Sequence, residues 1–248
     1  MPFKVQSHGT SDLGLVRTNN EDAWFASPDG RMFLVADGLG GHQAGEVAAR
    51  EAIDQFLSSF VDIFPSKPPK NLTDTEILGG LGQCFRETNG HVFTLSCSHE
   101  LLRGMGTTFC ALTFHNDRVA VSHVGDSRIY LSRDGALEQL TQDHCWTRGL
   151  FPYVAEEDHP SKGVLTRAIG TLPEVEPAIR LMTPQPQDLF LICTDGLSDM
   201  LTHDEIESAL NRPLTIGEKA RLLVSSAKQK GGGDNITVIL VEVSHGDL

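Results

Sequence analysis

The sequence predicts an α+β fold in which β-sheets are covered by helices. Short apolar runs bounded by Gly, Asp and Asn are frequent, and helical patterns lie between them. Neither an internal repeat nor a domain linker divides the 248 residues, of which 40% are hydrophobic and 21% charged. Such a chain can build one large core or two small ones. We therefore expect a single domain over residues 1–248.

Six segments rich in Val, Ile, Phe, Leu and Thr predict β-strands. They cover residues 31–36, 107–114, 118–124, 128–132, 188–194 and 236–243. The first and the fifth carry continuous apolar runs, as expected for central strands covered on both faces. The third and fourth flank Gly125-Asp126-Ser127, and this arrangement predicts a β-hairpin.

Helical patterns fall between the strands. Residues 45–60 repeat apolar side chains near the helical period. Three later stretches open with a capping box, in which Thr is followed three residues later by Glu, and each predicts a helix start. The pairs are Thr73/Glu76, Thr202/Glu205 and Thr215/Glu218. The last helix should end where basic residues meet Gly231–Gly233.

Charge and composition exclude several classes of function. The formal net charge of −13 disfavours nucleic acid and anionic membranes as partners, because both need a basic face. No segment approaches the ~18 apolar residues of a membrane span, and the first residues carry no apolar leader, so we expect a soluble cytoplasmic protein. The five cysteines form no C-x-x-C pair and predict buried, reduced thiols rather than disulfides.

Four aspartates stand at the ends of predicted strands, each with glycine beside it or one residue away. They are Asp37, Asp126, Asp195 and Asp234. An Asp-Gly pair alone is often a turn, but turn chemistry does not require a buried strand leading into each Asp. If the four ends meet, the carboxylates repel one another unless cations lie between them. Oxygen ligands select Mg²⁺ or Mn²⁺ over zinc. The neighbouring glycines would let a backbone carbonyl approach an ion, and they can adopt a positive φ where the chain turns sharply.

A fifth acidic stretch adds Glu21 and Asp22, four residues after Arg17. The planar guanidinium of arginine donates two parallel hydrogen bonds and suits phosphate. Acidic metal ligands beside one arginine are what the hydrolysis of a phosphate ester requires.

Eight motifs along the chain together resemble those of a known family. They are RTNNEDA, LVADGLGGHQAGE, GMGTTF, VGDSRIYL, LTQDH, LTRAIG, CTDGLSDML and GGGDNITV. Their order is that of the metal-dependent Ser/Thr protein phosphatases of the phosphatase 2C type, and the compact bacterial branch is most similar. The resemblance implies a four-layer α/β/β/α sandwich of two antiparallel sheets flanked by helix pairs, with a two-metal centre at one end.

The resemblance also implies a role for each site residue. Asp37 would bridge two Mn²⁺ or Mg²⁺ ions, and the Gly38 carbonyl would touch the second. Asp195 and Asp234 would hold the first ion, while Glu21 and Asp22 would act near the second. Asp126 would serve a third, weaker ion with Asp195, and Asp199 is a further candidate. Arg17 falls at the phosphate-binding arginine.

The mechanism that the resemblance implies is direct hydrolysis by a metal-bridging water, without a phosphoenzyme. His42 is the candidate general acid, because histidine titrates near neutrality. The same residue could instead cap the helix expected near Gly45, and a metal-bound water could donate the proton. Substrates would be phosphoserine or phosphothreonine proteins, often products of a partner Ser/Thr kinase.

One further segment belongs to the resemblance, and two alternative interpretations compete with it. The segment of about residues 145–165 resembles a mobile flap, in which Cys145 replaces the more usual Ser. Cys97 and Arg103 have the spacing of a cysteine-phosphatase loop, but the residues between them include no glycine and no strand precedes them. A catalytically weak, phosphatase-like metal-binding module with a regulatory or docking role is the alternative from another functional class.

Overall fold

The computed structural model describes residues 3–40, 43–64, 72–145 and 164–246. The strands in this part of the chain are β1 Phe3–Asp12, β2 Asp22–Ala26, β3 Met32–Leu39, β4 Gly106–Thr107, β5 Phe109–His115, β6 Arg118–Val124, β7 Arg128–Arg133, β8 Ala136–Gln139, β9 Ala178–Met182, β10 Leu189–Cys193 and β11 Ile236–His245. The α-helices are α1 Gln43–Ile63, α2 Asp74–Ser98, α3 Asp195–Ser198, α4 His203–Leu210 and α5 Ile216–Gln229. The expected flap lies outside the described residues over 146–163.

Two antiparallel sheets form the centre of the molecule. One has the strand order β1-β11-β10-β7-β8, and the other has the order β2-β3-β5-β6-β9, with β4 paired to β3. The α1–α2 pair packs on the second sheet, whereas α5 packs on β1 and β11 of the first and α4 packs against α5 and β8. This arrangement is the predicted four-layer α/β/β/α sandwich.

Strand periodicity explains the layers. In β3, Leu34 and Ala36 point into a core shared with α1 and α2. Their neighbours Phe33 and Val35 point into the core between the two sheets. A third core lies between the first sheet and the helices α3, α4 and α5. Because successive side chains alternate across a strand, a continuously apolar strand fills two cores at once.

The hairpin predicted around Gly125-Asp126-Ser127 is wrong. β6 pairs with β5 and β9, and β7 pairs with β10 and β8, so the two strands belong to different sheets. Gly125 has φ of +104°, which allows the sharp turn. The segment carries the chain from one layer to the other, and Asp126 lies at that crossing.

The predicted helix starts are confirmed. Capping boxes stand at Thr73, Thr202 and Thr215, with the hydroxyl accepting from the third helical N–H in each case. The helix predicted over 45–60 is α1, which extends slightly beyond both bounds. None of the described helices is long and apolar enough to cross a membrane.

The cysteines are free thiols, but the predicted burial is wrong for Cys97, which is exposed, and for Cys145, which is partly exposed. Cys84, Cys110 and Cys193 are buried. Cys97 is exposed in the last turn of α2, and only a short 3-10 turn separates it from Arg103. A cysteine-phosphatase loop between a strand and a helix is therefore not formed here.

Candidate metal centre

The aspartates predicted at strand ends surround one cavity of about 560 Å³ at one end of the sandwich. Asp37 comes from β3, Asp126 from the crossing between the sheets, Asp195 from the start of α3 and Asp234 from the residue pair before β11. The cavity is lined by Arg17, Thr18, Asn19, Glu21, Asp37, Gly38, Leu39, Gly40, Thr108, Asp126, Leu165, Asp195 and Asp234. Both sheets therefore contribute carboxylates to the same space.

Asp37 is held through its backbone. Its N–H donates to Thr108 Oγ1 at 3.1 Å, and its carbonyl accepts from Thr108 N at 2.9 Å and from Thr107 Oγ1 at 2.8 Å. Asp22 stands opposite Asp37 in the β2–β3 register. The sheet itself therefore brings these two carboxylates together.

Glycine follows Asp37 and Asp195 for a steric reason. A Cβ on Gly38 would overlap the Gly45 carbonyl of α1, and a Cβ on Gly196 would overlap the Asn235 carbonyl. The expected positive φ is absent at both positions but present at Gly125 and Gly232. Close backbone approach is therefore what requires glycine beside these two aspartates.

Asp22 does not line this cavity and instead lines a separate pocket, together with Ser11 and Asn20. Its Oδ2 accepts from Thr237 Oγ1 at 2.6 Å and from Thr194 Oγ1 at 3.0 Å. Its Oδ1 is buried and has no hydrogen-bond partner among the described residues, and the same is true of Asp195 Oδ1. A buried acceptor without a partner is costly unless a cation or water satisfies it.

Burial and mutual repulsion raise the pKa values of the clustered acids. Burial, followed by the charges of Asp195 and Asp234, raises the pKa of Asp22 to about 7. Burial and then the charges of Asp199 and Asp234 raise the pKa of Asp195 to about 6. Burial, Asp22 and Asp195 hold the pKa of Asp37 well above its usual range. Asp37 and Asp195 lie within hydrogen-bonding reach, so the pair can share a proton.

Asp126 belongs electrostatically to the same cluster. Burial, with the charges of Asp195 and Asp143, raises the pKa of Asp126 to about 7. Asp199 contributes to this shift, although it is exposed and does not line the cavity. Asp126 is therefore coupled through Asp195 to the acids of the cavity.

Arg17 is the basic group at the cavity. Its Nη2 lies 2.7 Å from Asp234 Oδ2, and Asp234, Glu21 and Asp37 raise the pKa of Arg17. Half of the Arg17 side chain is exposed. Because a guanidinium has five N–H donors, several remain for a ligand in the cavity.

Asn235 holds the loop that carries Arg17 and Glu21. Its Nδ2 donates to Leu13 O and Asn19 O, each at 3.0 Å, and its Oδ1 accepts from Glu21 N at 2.8 Å. Sequence reasoning missed this positioning role, along with those of Thr108, Thr194 and Thr237. The one hint in the sequence was for Asn235, because this Asn directly follows Asp234 in the last motif.

The donor set fits hard divalent cations. All the acidic groups offer oxygen, and the unpartnered Oδ1 atoms of Asp22 and Asp195 need a positive partner. The side chains surround the cavity without closing on one point, and among the described residues no three Asp, Glu, His or Cys side chains form a complete metal cage. The fit therefore rests on donor chemistry and on the unsatisfied oxygens.

The structure places most of the predicted site residues together. Those at the cavity are Arg17, Glu21, Asp37, Gly38, Asp126, Asp195 and Asp234. Asp22 and Asp199 both stand outside the cavity lining. His42, the candidate general acid, lies outside the described residues.

Comparison with known proteins gives one consistent result. The family model "Protein phosphatase 2C" matches residues 16–223. The serine/threonine phosphatase stp of Listeria monocytogenes is 37% identical over 94% of this chain and 93% of that protein. The crystal structure of the Mycobacterium tuberculosis serine/threonine phosphatase PstP/Ppp superposes with a TM-score of 0.84 at 34% identity, covering 97% of this chain and 99% of that one.

A second solved structure contains metal. The catalytic domain of the serine/threonine protein phosphatase PstP in complex with two manganese ions superposes with a TM-score of 0.82 at 35% identity, over 97% of this chain and 98% of that one. The fold, the acidic cavity and the family match agree. The chain belongs to the protein phosphatase 2C family.

Proposed function

We propose that this chain is a metal-dependent protein Ser/Thr phosphatase that hydrolyses phosphoserine and phosphothreonine by direct attack of water. The observation that carries the proposal is the cavity in which aspartates from both sheets meet beside Arg17. The family and the two-manganese complex of a similar phosphatase support it. We also propose that residues 1–248 form one catalytic domain.

Asp37, Asp195 and Asp234 would hold the two core ions, with the Gly38 carbonyl and Glu21 at the second. Two divalent cations supply, when bound, an activated water and positive charge for the phosphate oxygens. Asp22 would act from outside the cavity lining, where Thr194 and Thr237 fix its carboxylate.

Arg17 would bind the phosphate group of the substrate. Its guanidinium reaches the cavity while donating to Asp234. The remaining N–H groups can donate hydrogen bonds to the phosphate oxygens and stabilise the negative charge that grows on them during in-line attack. The pairing with Asp234 fixes the guanidinium before substrate arrives.

The leaving alkoxide needs a proton. We propose His42 as the donor, on its position in the LVADGLGGHQAGE motif. Donation by a solvent molecule in the cavity is the alternative, and replacement of His42 by Ala separates the two through the alkaline limb of the pH–rate profile.

Two finer points belong to the same proposal. Asp126, near Asp195 and Asp199, would serve a third and weaker Mn²⁺ or Mg²⁺ site. The physiological substrates would be phosphoserine and phosphothreonine proteins, in keeping with the names of the related phosphatases, and we propose that a partner Ser/Thr kinase phosphorylates them.

Phosphatase assays test the proposal. Hydrolysis of p-nitrophenyl phosphate and of a phosphothreonine peptide is measured in Mn²⁺, in Mg²⁺ and in EDTA. We expect metal-dependent turnover, at least about a hundredfold loss in Asp37→Asn, and wild-type rates in Asp117→Asn. Asp117 is exposed at the β5–β6 turn, about 20 Å along β5 from the cavity.

Two outcomes would contradict the proposal. No turnover in any metal would favour the regulatory or docking module. Loss of activity in Cys97→Ser, with Asp37→Asn unaffected, would move the chemistry to the cysteine.

A further inference from the structure

Three large apolar side chains stand exposed beside the cavity. Leu13, Leu15 and Val16, here named the apolar rim, are 40%, 63% and 67% exposed. Single exposed hydrophobic residues are ordinary, but a group of them within four positions often marks a binding surface.

The apolar rim directly precedes cavity-lining residues along the chain. Arg17 and Thr18, the next two residues of the same loop, line the cavity wall. Leu15 and Val16 do not line the cavity itself, so the rim is positioned to meet the part of a ligand that extends beyond the phosphate.

The exposure is built into the loop. Leu15 N–H donates to Gly232 O at 2.8 Å, and Asn235 Nδ2 holds the Leu13 carbonyl. Gly14, at φ of +79°, donates to Asp12 Oδ1 at 2.9 Å. The bonds to Gly232 and Asn235 tie the rim to the segment that carries Asp234, and the Gly14 bond ties it to the end of β1. The apolar side chains are thus held in solvent instead of folding into the core.

We propose that the apolar rim binds apolar side chains flanking the phosphorylated residue of the substrate polypeptide. The inference rests on the proposed phosphatase function. A residue next to the phosphoresidue lies within ~4 Å of it along the chain, and the second neighbour within ~7 Å, which matches a surface one or two residues from Arg17. The net charge of −13 disfavours an anionic membrane as the occupant.

Peptide kinetics test the proposal on the unmodified enzyme. Two phosphothreonine peptides are compared in Mn²⁺, one with Leu on both sides of the phosphoresidue and one with Ser there. We expect kcat/KM to be about tenfold higher for the Leu peptide, as partial burial of two apolar side chains predicts. Equal values with good turnover overturn the rim proposal and leave the phosphatase function intact.

The variant Leu15→Ser/Val16→Ser then locates the preference. We expect its kcat/KM ratio for the two peptides to fall to within twofold of unity. Val61→Ser is the matched control and should keep the wild-type ratio. Val61 is also exposed, and lies about 24 Å along α1 from Gly45, which touches Gly38. An unchanged ratio in the double variant overturns the proposal.

Two further outcomes separate the remaining explanations. If the rim pairs two copies of this chain, sedimentation shows a dimer that the double variant loses while peptide selectivity stays the same, and this overturns the proposal. Absence of turnover on both peptides and on p-nitrophenyl phosphate overturns the rim and the phosphatase function together.

Discussion

At the scale of single residues, close backbone contacts fix the cavity. Gly38 lies against Gly45 of α1, and Gly196 lies against Asn235. The first contact fixes the strand end that carries Asp37, and the second fixes the one that carries Asp195. Neither position tolerates a side chain without moving backbone atoms. The positions of Asp37 and Asp195 therefore depend on the absence of a Cβ one residue later.

Gly196→Ala tests this dependence. The added Cβ would overlap the Asn235 carbonyl, so we expect a loss of about 1–3 kcal/mol in the free energy of unfolding and reduced phosphatase activity. Gly79→Ala in α2 is the matched control, because a Cβ there meets nothing within 4 Å. Urea titration should show Gly79→Ala equal to wild type or more stable. Equal stability of the two variants would contradict the packing argument.

A second residue-scale prediction concerns His115, which is buried against Phe60 and Phe64. Burial, and then the charge of Arg31, lowers the pKa of His115 to about 4. In the unfolded chain the same histidine takes up a proton near pH 6.5. Because the folded state resists this protonation, the free energy of unfolding should fall by about 2–3 kcal/mol as the pH is lowered from above 6.5 to 4.

His115→Gln should remove this contribution to acid sensitivity. The amide can replace Nε2 as the partner of Thr113 Oγ1. We compare urea unfolding of wild type and variant from pH 7 to pH 4, and expect the stability difference between them to narrow as pH falls. The exposed His245→Gln is the control. If the stability difference stays constant with pH, the pKa of His115 is the same in the folded and the unfolded state, and the prediction is wrong.

At the scale of elements, α5 supports the strands next to the cavity. It packs on β1 and β11, and β11 follows directly on Asp234 and Asn235. Its first turn is fixed by Thr215, whose hydroxyl accepts from Glu218 N while the Glu218 carboxylate accepts from Thr215 N.

Thr215→Ala should cost about 1 kcal/mol in the free energy of unfolding, because the α5 capping box loses its hydroxyl. Thr215→Ser keeps the acceptor and should stay within about 0.5 kcal/mol of wild type. The midpoint of urea unfolding measures both. Equal losses in the two variants would show that the methyl group, not the cap, stabilises this helix start.

At the scale of the whole molecule, the cavity is where two sheets bring together acids that are remote in sequence. Folding raises the pKa values of Asp22, Asp126 and Asp195, so the folded state pays a penalty for keeping them ionised near neutral pH. Cations that bind the folded state offset that penalty.

Thermal unfolding tests this balance. At a Mn²⁺ concentration about one hundred times the dissociation constant, we expect ~2.7 kcal/mol of added stability and a higher Tm for wild type. In EDTA, Asp37→Asn should melt above wild type, because the amide removes an ionisable carboxyl from a buried cluster of acids that repel one another. Mn²⁺ should raise its Tm much less. A wild-type Tm that does not respond to Mn²⁺ or Mg²⁺ would argue against a metal centre here.

The sequence predicted what depends on local pattern. Continuous apolar runs marked β3 and β10, and Thr–Glu spacing marked three helix starts. It missed β1, β2, β8 and β9, whose burial is only partial and whose patterns are therefore weaker. The 125–127 turn shows the limit, because its glycine indicates a sharp bend but does not say which layer the next strand joins.

The candidate site divides in the same way. Carboxylates at strand ends could be found from their neighbours in sequence. Their supports could not, because Thr194, Thr237 and Asn235 act on residues about 170 to 220 positions away. Hydroxyl and amide side chains are common, and only the folded geometry distinguishes those that hold Asp22 or the Arg17 loop.

The pairing of β1 with β11 has a consequence for synthesis in the cell. Phe3 stands opposite His245 and Asp12 opposite Ile236. β1 therefore cannot form this pairing until β11 has also been synthesised. Until β11 leaves the ribosome, the nascent chain lacks both Asp234 and the amide that anchors Arg17. A ribosome-bound chain should therefore leave neighbouring phosphoproteins untouched until β11 has left the ribosome and paired with β1.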